Sequence, residues 1–576
     1  MDQRRVILAI LLMLVVAVVP SILFPPKPPV RPSPGVADTM TAGASGAVPA
    51  DTAGPSARTP APVAPPAAPP PASTARVEFA PADTVWVTSP LYRLGFSTRG
   101  AQLVSAQLLE YQSYAPGDSS QRVQLVPAGH PLLAERLAVG SDTASFADLA
   151  FTPSRPSLTV SGADTVLTFT APVGKGRVTL AYRFTPDDYR FAVDGRVEGL
   201  GGTGGVLVVN LGDGLRSVEA DPMGDYREYA VVTKAAKTEK KTFSSLDPDE
   251  RAVLDGPFEW IAVKSKYFFA AVLAPVQGQR PFAGAVVTGQ ARMSLSVSSL
   301  FGKRNTSVAT RAAVFTTLAV PATGTFRYDV FVGPFEHRRL AQLGHGLDDA
   351  NPYGWSFFRP IIHPVSIVVV DVLFWMHQQL RLGYGWVLIV FGVLVRLLLW
   401  PLQQKAMESQ MRMQAVQPLM QEIQTRYKKD PQKLQSEMMK LYKEHKVNPV
   451  GGCLPMLLPM PVLLALFFVF TNTIEFRGVP FLWLPDLSRA DPYYIIPVLM
   501  GISMFAVSKM GQRGMPPNPQ MKTMLYVMPA MMTFIFLRLA SGLNLYYAVQ
   551  NIISLPQQWQ ISQRRLATLS RRPGSS

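Results

Sequence analysis

The chain has 576 residues, of which 48% are hydrophobic and 16% are charged. Its mean hydropathy of +0.15 is too low for a protein made of membrane spans throughout, so the composition predicts a membrane protein with a large soluble part. The net charge of +16 fits contact with anionic lipid headgroups or nucleic acid, or simply the basic cytoplasmic loops that membrane proteins carry. The single cysteine, Cys453, excludes an intrachain disulfide.

The N-terminal residues 1–24 have the pattern of a signal segment. A short basic stretch ending at Arg5 precedes the apolar run Val6–Phe24. This run is longer than the core of an ordinary signal peptide and no convincing A-x-A cleavage site follows it before the prolines, so an uncleaved transmembrane signal anchor with a cytoplasmic N-terminus is predicted. The next residues, 25–75, are rich in Pro and Ala and are expected to form an extended, disordered linker.

Residues 76–340 change to short β-type runs separated by turn-forming pairs such as Gly-Asp, Gly-Gly and Pro-Asp. That spacing, with little helical periodicity, predicts an all-β sandwich domain outside the membrane. No Ser/His/Asp grouping and no pair of catalytic acids is recognisable in it. The runs that predict strands are Tyr92–Ser97, Leu103–Glu110, Thr165–Thr170, Arg177–Phe184, Phe191–Glu198, Val206–Leu211, Glu259–Val263, Tyr267–Leu273, Arg311–Ala319 and Phe326–Val332.

The rest of the chain is predicted to be a helical membrane core. The basic segment 405–446 should be cytoplasmic. With the N-terminus inside and the β-domain outside, only one span fits between them, so the apolar segment within 341–382 is predicted to lie along the outer interface as an amphipathic helix. The core at 383–576 then brings the total to six transmembrane helices with both termini cytoplasmic. Its five spans are predicted at about 384–402, 452–470, 493–507, 524–537 and 543–555.

The cytoplasmic insert 405–446 carries apolar residues at heptad spacing from Met413 onward. The pattern breaks at Asp430-Pro431 and resumes at Leu434, which predicts a hairpin of two antiparallel helices. The hairpin has two interpretations. It is either a packed structural spur, or a basic, methionine-bearing arm that meets a ribosome, a translocon or a nascent chain.

Arg396 lies well inside the apolar run Tyr384–Leu402, several residues before the next polar side chain, Gln403. A cation at such depth costs roughly 2.5–3.5 kcal/mol on insertion scales. Its side chain is therefore expected to face a water-filled cavity or a polar partner. Pairing with a carboxylate is the structural alternative, but the predicted spans contain no Asp or Glu at comparable depth.

The predicted last span carries a polar stripe. Asn544, Tyr547 and Asn551 follow i, i+3, i+7 spacing and so share one face of a helix, with Gln550 beside them. These side chains are candidates for the far wall of a cavity that holds Arg396. The alternative is that they make hydrogen bonds between helices inside a tight bundle.

The polar residues favour one function class over three others. A transporter usually has inverted repeats or acids inside the membrane, and a channel needs a polar lining through its full thickness; neither pattern is present in the sequence. An anchored carbohydrate-processing enzyme lacks paired acids. The sequence instead favours a polar groove that reaches halfway through the membrane, hydrated on the cytoplasmic side and open to lipid. Such a groove would bind the polar segment of a client chain while the client's apolar segment enters lipid. No phosphate-binding G-x-x-x-x-G-K-[ST] loop is present, and no cofactor or metal is expected.

Several stretches resemble the Gram-negative YidC branch of the Oxa/Alb/YidC family of membrane protein insertases. The resemblance covers about Val85–Arg565 and leaves out the linker. The stretches that carry it are Val395–Leu402, Lys446–Leu457, Asp491–Phe505 and Ser541–Asn551 in the core, with Ser97–Ala101 and Phe331–Leu340 similar to the family's periplasmic domain.

The resemblance implies a polytopic α-helical membrane protein of the bacterial inner membrane. Six transmembrane helices are expected, five of them forming an insertase core, with a periplasmic all-β super-sandwich domain and a cytoplasmic helical hairpin. It further implies an insertase and chaperone that inserts nascent membrane proteins and helps them to fold, alone or with the Sec translocon and its accessory subunits. The ribosome and membrane lipids are the other expected partners.

By the same resemblance, Arg396 corresponds to the groove arginine, and Tyr547, with Tyr546 beside it, to client-contacting positions. Together with Asn544 and Asn551 these are the candidate client-binding residues, and no catalytic residue is expected because the process is not enzymatic. The burial of apolar client groups in lipid, at about 0.8 kcal/mol per CH₂, would drive it. The alternative function is a small-solute transporter with a periplasmic binding domain.

Overall fold

The computed structural model describes residues 83–118, 121–199, 203–298, 304–351, 353–354, 357–428, 430–445, 460–513 and 519–570. The predicted signal anchor at 1–24 and the predicted linker at 25–75 lie outside the described residues, as do residues 452–459 of one predicted span. What is described consists of a β-rich region, called the β-domain below, followed by a helical region.

The β-domain begins with the first described strand and ends at Pro334. The strands predicted from the sequence are present, and shorter ones lie between them. In chain order they are β1 (Thr84–Thr88), β2 (Tyr92–Ser97), β3 (Leu103–Gln112), β4 (Arg122–Gln124), β5 (Ala134–Val139), β6 (Asp142–Ser145), β7 (Thr152–Pro153), β8 (Ser157–Thr159), β9 (Thr165–Val173), β10 (Gly176–Phe184), β11 (Arg190–Val197), β12 (Gly205–Asn210), β13 (Ala230–Lys234), β14 (Thr238–Thr242), β15 (Arg251–Phe258), β16 (Trp260–Lys264), β17 (Phe268–Leu273), β18 (Phe282–Gly289), β19 (Met293–Ser298), β20 (Arg304–Ala309), β21 (Ala312–Val320) and β22 (Thr325–Pro334).

In the described residues these strands form three large sheets and a separate hairpin, β19-β20. The largest sheet has nine strands in the order β14-β13-β16-β17-β22-β11-β10-β9-β7. The second has six, β15-β18-β21-β12-β5-β6, and the third has five, β4-β3-β2-β1-β8. Pairing is antiparallel along the nine-stranded sheet, for example between β10 and β11, whereas β1 and β8 pair in parallel.

Alternation along the strands explains how the sheets build a core. On β10, Val178, Leu180, Tyr182 and Phe184 are buried while the residues between them are more exposed, as the two-residue period of a strand requires. Buried side chains from all three large sheets join in a single hydrophobic cluster. Within it the rings of Phe96 and Tyr182 lie 4.7 Å apart. The sheets are therefore held together by apolar burial.

Glu135 on β5 is an ionisable group inside this core. Its side chain is fully buried and one carboxylate oxygen accepts a hydrogen bond from the hydroxyl of Tyr328. Burial raises the pKa of the Glu135 carboxyl to about 7, and the hydrogen bond opposes that shift only in part. The β-domain therefore contains a carboxyl that favours its neutral form.

The helical region contains the elements that the sequence predicts, with different lengths. The first two helices belong to the β-domain and its exit. In chain order the helices are α1 (Pro222–Arg227), α2 (His337–Leu343), α3 (Arg359–Leu380), α4 (Tyr384–Ala415), α5 (Gln417–Arg426), α6 (Pro431–Glu444), α7 (Met460–Asn472), α8 (Ile495–Gly511), α9 (Pro519–Phe536) and α10 (Ser541–Ser570).

Among the described residues, two helices are long and apolar enough to cross a membrane. They are α3 and the first part of α4, Tyr384–Gln404. The helices Met460–Asn472, Ile495–Gly511 and Leu525–Phe536 are apolar but shorter. Each predicted core span overlaps a helix, and the count of six spans stays a prediction. The predicted interfacial position of α3 likewise stays a prediction, because its length and composition suit a span as well.

Two helices run well beyond the predicted spans. The span predicted to end at Leu402 continues to Ala415, and the one predicted to end at Leu555 continues to Ser570. The residues that follow each apolar run, mainly Gln, Lys, Met and Arg, are good helix formers, so the helix continues beyond the apolar run. Pro401 and Pro556 lie inside the two helices.

The hairpin 405–446 has the predicted break between α5 and α6. Asp430 caps α6 by accepting a hydrogen bond from the backbone N–H of Lys433 at 3.1 Å, and Pro431 occupies the first helical position. The hydroxyl of Tyr442 lies 3.9 Å from the sulfur of Met420, which joins the two arms. The prediction differs in the first arm, which is interrupted at Val416 between α4 and α5.

The β-domain is joined to the helical region by buried polar contacts. Arg477, in the loop after α7, is 2% exposed at its side chain. Its Nε donates to Oε1 of Glu219 at 2.8 Å, its Nη1 donates to the carbonyl of Gln112 at 2.8 Å, and its Nη2 donates to the carbonyl of Val218 at 3.4 Å. The guanidinium also lies over the ring of Tyr114, 4.4 Å from its centre. One cation from the helical region is thus held by the β-domain.

A second set of contacts fixes the same junction. The fully buried Lys264 donates to Oδ1 of Asn351 at 2.9 Å, and Nδ2 of Asn351 donates to the carbonyl of Asn472 at the end of α7 at 3.4 Å. The hydroxyls of Tyr353 and Thr473 hydrogen-bond at 3.0 Å. Because these partners come from β16, the connector and α7, the β-domain is anchored on that end of α7.

Candidate functional site

Arg396 lies on α4 and its side chain is partly buried. Its Nη2 donates to Oε1 of Gln557 on α10 at 2.6 Å. The neighbouring Leu397 and Leu398 are 57% and 77% exposed, so the opposite face of α4 carries bare apolar side chains suited to lipid. Within the described residues no carboxylate is paired with Arg396. The predicted alternative of a structural ion pair therefore finds no support there.

The edge of α10 that meets α4 is polar and closely packed. Nε2 of Gln550 donates to the carbonyl of Gly392 at 2.7 Å. A Cβ at Gly392 would lie 3.1 Å from a methyl of Val549, so glycine permits a close approach of the two helices. The ring of Tyr546 lies 6.0 Å from that of Phe391. Gly392 thus faces α10.

The predicted stripe on α10 contacts helices other than α4, and its place across a cavity from Arg396 stays a prediction. Asn544 is fully buried, and its Nδ2 donates to the carbonyl of Phe536 at the end of α9 at 2.9 Å. Nδ2 of Asn551 donates to the hydroxyl of Ser503 on α8 at 3.2 Å. The ring of Tyr547 lies 5.5 Å from that of Phe536.

The geometry of a helix explains why Arg396 and the neighbours of the stripe contact different edges of α10. At 3.6 residues per turn, positions 546, 550 and 557 share one edge of α10, while 544, 547 and 551 share an edge further around. The first edge meets α4 and Arg396, and the second meets α8 and α9. The polar side of α10 is thus wide enough to serve two neighbours, which the i, i+3, i+7 spacing alone does not reveal.

The candidate residues differ in accessibility. Tyr546 and Asn544 are buried, at 1% and 0% exposed, whereas Arg396, Tyr547 and Asn551 keep partial exposure. Partial exposure is what a client-contacting side chain needs. Arg396, Tyr547 and Asn551 are therefore accessible. Asn544 is buried in a hydrogen bond to Phe536, and Tyr546 packs against Phe391.

Similar proteins decide the family. The chain is 30% identical over 518 residues to a protein of Burkholderia cenocepacia named "Membrane protein insertase YidC", with 86% of each chain covered. It is 31% identical over 500 residues to a protein of the same name from Oleidesulfovibrio alaskensis, covering 84% of this chain and 88% of that one. The chain belongs to the YidC family.

Two family models divide the chain as the fold does. The model described as "YidC periplasmic domain" matches residues 84–364, and that described as "60Kd inner membrane protein" matches residues 375–568. The chain is therefore an inner-membrane protein of the YidC family with a periplasmic β-rich domain and a helical region. Among solved structures, an active YidC insertase with its first transmembrane domain resolved is 19% identical, covers 83% of this chain and 94% of that one, and has a TM-score of 0.33.

Gln557 is the residue of this YidC site that sequence reasoning missed. Predicting that the last span ended at Leu555 placed Gln557 outside the membrane core, yet it is 1% exposed inside α10. A signal was present, because Gln557 follows Gln550 by seven residues and therefore lies on the same edge of a helix. Among the described residues, no group of three or more His, Cys, Asp or Glu side chains could hold a metal ion.

Proposed function

We propose that this chain is a membrane protein insertase and not an enzyme: it inserts nascent membrane proteins and helps them to fold in the inner membrane. Membership in the YidC family supports the proposal, because the relatives compared carry that function in their names. The residues proposed to contact the client are Arg396 on α4 and Tyr547 and Asn551 on α10.

The observation that carries the mechanism is the state of Arg396. A guanidinium on a helix with exposed leucines, held by the amide of Gln557 rather than by a carboxylate, keeps its positive charge for an external partner. In surroundings of low dielectric constant that charge attracts an acidic client segment far more strongly than in water. The groove would thereby lower the cost of moving a polar segment across the membrane.

The driving force would come from the client. Each buried CH₂ contributes about 0.8 kcal/mol, so about 20 apolar residues entering lipid release many kcal/mol without a nucleotide. The rate of insertion is then limited by the transfer of the client's polar flank across the membrane. Arg396, Tyr547 and Asn551 offer that flank hydrogen-bond donors and acceptors in place of water. Catalysis in the chemical sense is not required.

The topology follows the same proposal. The anchor at 1–24, the linker at 25–75, the periplasmic domain at 76–340, the connector at 341–382 and the core at 383–576 would give six spans with both termini cytoplasmic and a periplasmic super-sandwich. The interfacial position of α3 has support in an ion pair on its exposed face, where Asp371 lies 4.0 Å from Arg338 of α2. A charged pair is better placed among headgroups than in hydrocarbon.

The expected partners are the Sec translocon with its accessory subunits, the ribosome and membrane lipids. The hairpin 405–446 supports ribosome contact through exposed cations, among them Arg412, Lys428, Lys433 and Lys440. Positive charge favours contact with RNA phosphates. Deleting the hairpin should weaken co-sedimentation with ribosomes while leaving the folded core intact.

Photocrosslinking tests client contact in the groove. A photoreactive amino acid would be placed at Tyr547, at Asn551 and at the adjacent Ile552, which is 45% exposed and faces away from the polar edge of α10. A ribosome-stalled client with one apolar span should crosslink from the first two positions and not from Ile552. Crosslinks of equal strength from Ile552 would count against the groove and favour contact with the lipid-facing side.

A further inference from the structure

Gln557 is a buried polar residue of α10 that contacts Arg396. It is 1% exposed, although it lies beyond the last apolar run of α10. Its Oε1 accepts the hydrogen bond from Nη2 of Arg396 at 2.6 Å, a short distance typical of a charge-assisted bond. Burying an amide is costly unless it is hydrogen-bonded, so a buried glutamine at this position needs a partner, and Arg396 is that partner.

The chemistry of the pair fixes the orientation of both groups. A guanidinium only donates hydrogen bonds, so the amide oxygen of Gln557 must face Arg396 and its NH₂ group must point away. That Nε2, and Nε of Arg396, are both buried and have no hydrogen-bond partner in the described part of the chain. The hydrogen bond between Arg396 and Gln557 therefore uses the only acceptor of the Gln557 amide and leaves the guanidinium without a carboxylate among the described residues.

Neighbouring contacts hold the two helices in register. The hydrogen bond from Gln550 to the carbonyl of Gly392, and the close approach of Gly392 to Val549, lie on the same edge of α10 as Gln557. Gln557 lies about two turns beyond Gln550, whereas Arg396 lies about one turn beyond Gly392. The long side chain of Arg396 is thus drawn toward the C-terminal end of α10.

We propose that Gln557 is the positioning residue for Arg396: it holds the guanidinium at a fixed place on the groove by a neutral acceptor that leaves the charge uncompensated. A carboxylate at the same place would hold the guanidinium equally well but would pair with its charge. A neutral amide fixes the position of the guanidinium without neutralising its charge, so the guanidinium still attracts acidic client segments. This inference rests on the insertase function proposed above.

The test measures charge selectivity rather than activity alone. The full chain, as wild type or variant, is reconstituted in liposomes and assayed by protease protection with two single-span clients that differ only in an acidic or a neutral outer tail. Gln557→Glu places a carboxylate against the guanidinium, and Gln557→Leu removes the acceptor. The matched control is Gln560→Glu, which adds the same charge to α10 at an exposed position.

For wild type and Gln560→Glu we expect the acidic client to insert better than the neutral one. Gln557→Glu should lower the acidic-to-neutral ratio about tenfold, as expected for the loss of a hydrogen-bonded charge contact, and leave insertion of the neutral client unchanged. Gln557→Leu should lower the same ratio because the guanidinium loses its fixed place. A merely structural role would reduce both clients together and leave the ratio alone.

The possible outcomes distinguish the positioning role of Gln557 from the proposed insertase function. Wild-type insertion with a ratio that Gln557→Glu and Gln557→Leu leave unchanged would overturn the positioning role and keep the insertase. Failure of folded wild type to insert either client would overturn the proposed function, and the positioning role with it. Should Gln557→Glu fail to fold, the ratio measured with Gln557→Leu decides.

Discussion

Replacing Arg477 by methionine should weaken the junction between the periplasmic domain and the helical region. The substitution keeps most of the length and apolar surface of the side chain but removes three hydrogen bonds, to Glu219, Gln112 and Val218. It also leaves the carboxylate of Glu219, 10% exposed, without its cation. Removal of one partner of a buried pair costs about 3–5 kcal/mol, mostly through the uncompensated charge that remains.

The control is a surface pair of the same chemistry. Arg426 lies 2.8 Å from Glu422, and their side chains are 66% and 61% exposed. A pair so exposed contributes about 0–1 kcal/mol. Arg477→Met should therefore lower the thermal midpoint of the periplasmic domain by roughly 10 °C, at about 2–4 °C per kcal/mol for a domain of this size, while Arg426→Met should leave it unchanged.

The assay is thermal unfolding of the full chain in detergent, followed by tryptophan fluorescence. Adding Glu219→Gln to Arg477→Met should recover part of the loss, because no buried charge is then left unpaired. Limited proteolysis of the connector at 341–357 should accelerate in Arg477→Met and slow again in the double variant. If Arg477→Met unfolds at the same temperature as Arg426→Met, the argument for a stabilising buried junction is refuted.

Further predictions concern the periplasmic domain and the packing of α4. Burial raises the pKa of Glu135 in the folded state to about 7, above its ordinary value of 4.5, so wild-type stability should fall as pH rises through that interval. Glu135→Gln should flatten this pH dependence and raise the free energy of unfolding above about pH 7 by up to roughly 3 kcal/mol. Denaturant titrations that give both proteins the same pH dependence of that free energy would contradict the prediction. A Cβ at Gly195 would overlap the ring of Phe326, so Gly195→Val should destabilise the domain by about 1–3 kcal/mol in the same titrations. An unchanged midpoint would show that the ring can move freely. Gly392→Leu should force α4 from α10 and reduce insertion of acidic and neutral clients alike, whereas Gly383→Leu, with no atom within 4 Å of its Cβ, should leave insertion unchanged.

The β-domain was the part most open to prediction. Its strands follow a two-residue alternation that sequence displays directly, as in the buried Val178, Leu180 and Tyr182 of β10. The pairing of those strands into sheets of nine, six and five was not visible, because it depends on contacts between distant segments. The same applies to Arg477, whose partner Glu219 is 258 positions away in the chain.

The site was predicted in part. Arg396 stands out because a cation inside an apolar run is costly and needs a polar partner. Which partner it has depends on how α10 is rotated against α4, and sequence spacing gives only the relative positions around one helix. Sequence reasoning misses Gln557 because the polar residues after Leu555 indicate the end of a span, whereas α10 continues with its polar edge buried against α4.

We propose that Arg396 provides a functional positive charge in an insertase that works without other proteins. The most direct measurement is protease protection of a small single-span client with an acidic outer tail, in liposomes that contain this chain alone as wild type, Arg396→Lys or Arg396→Ala. We expect wild type to insert this client and Arg396→Lys to retain much of that insertion. Arg396→Ala should insert it clearly less, whereas insertion of a client with a neutral tail should not fall. Equal insertion by wild type and Arg396→Ala would contradict the claim and leave Arg396 a structural residue.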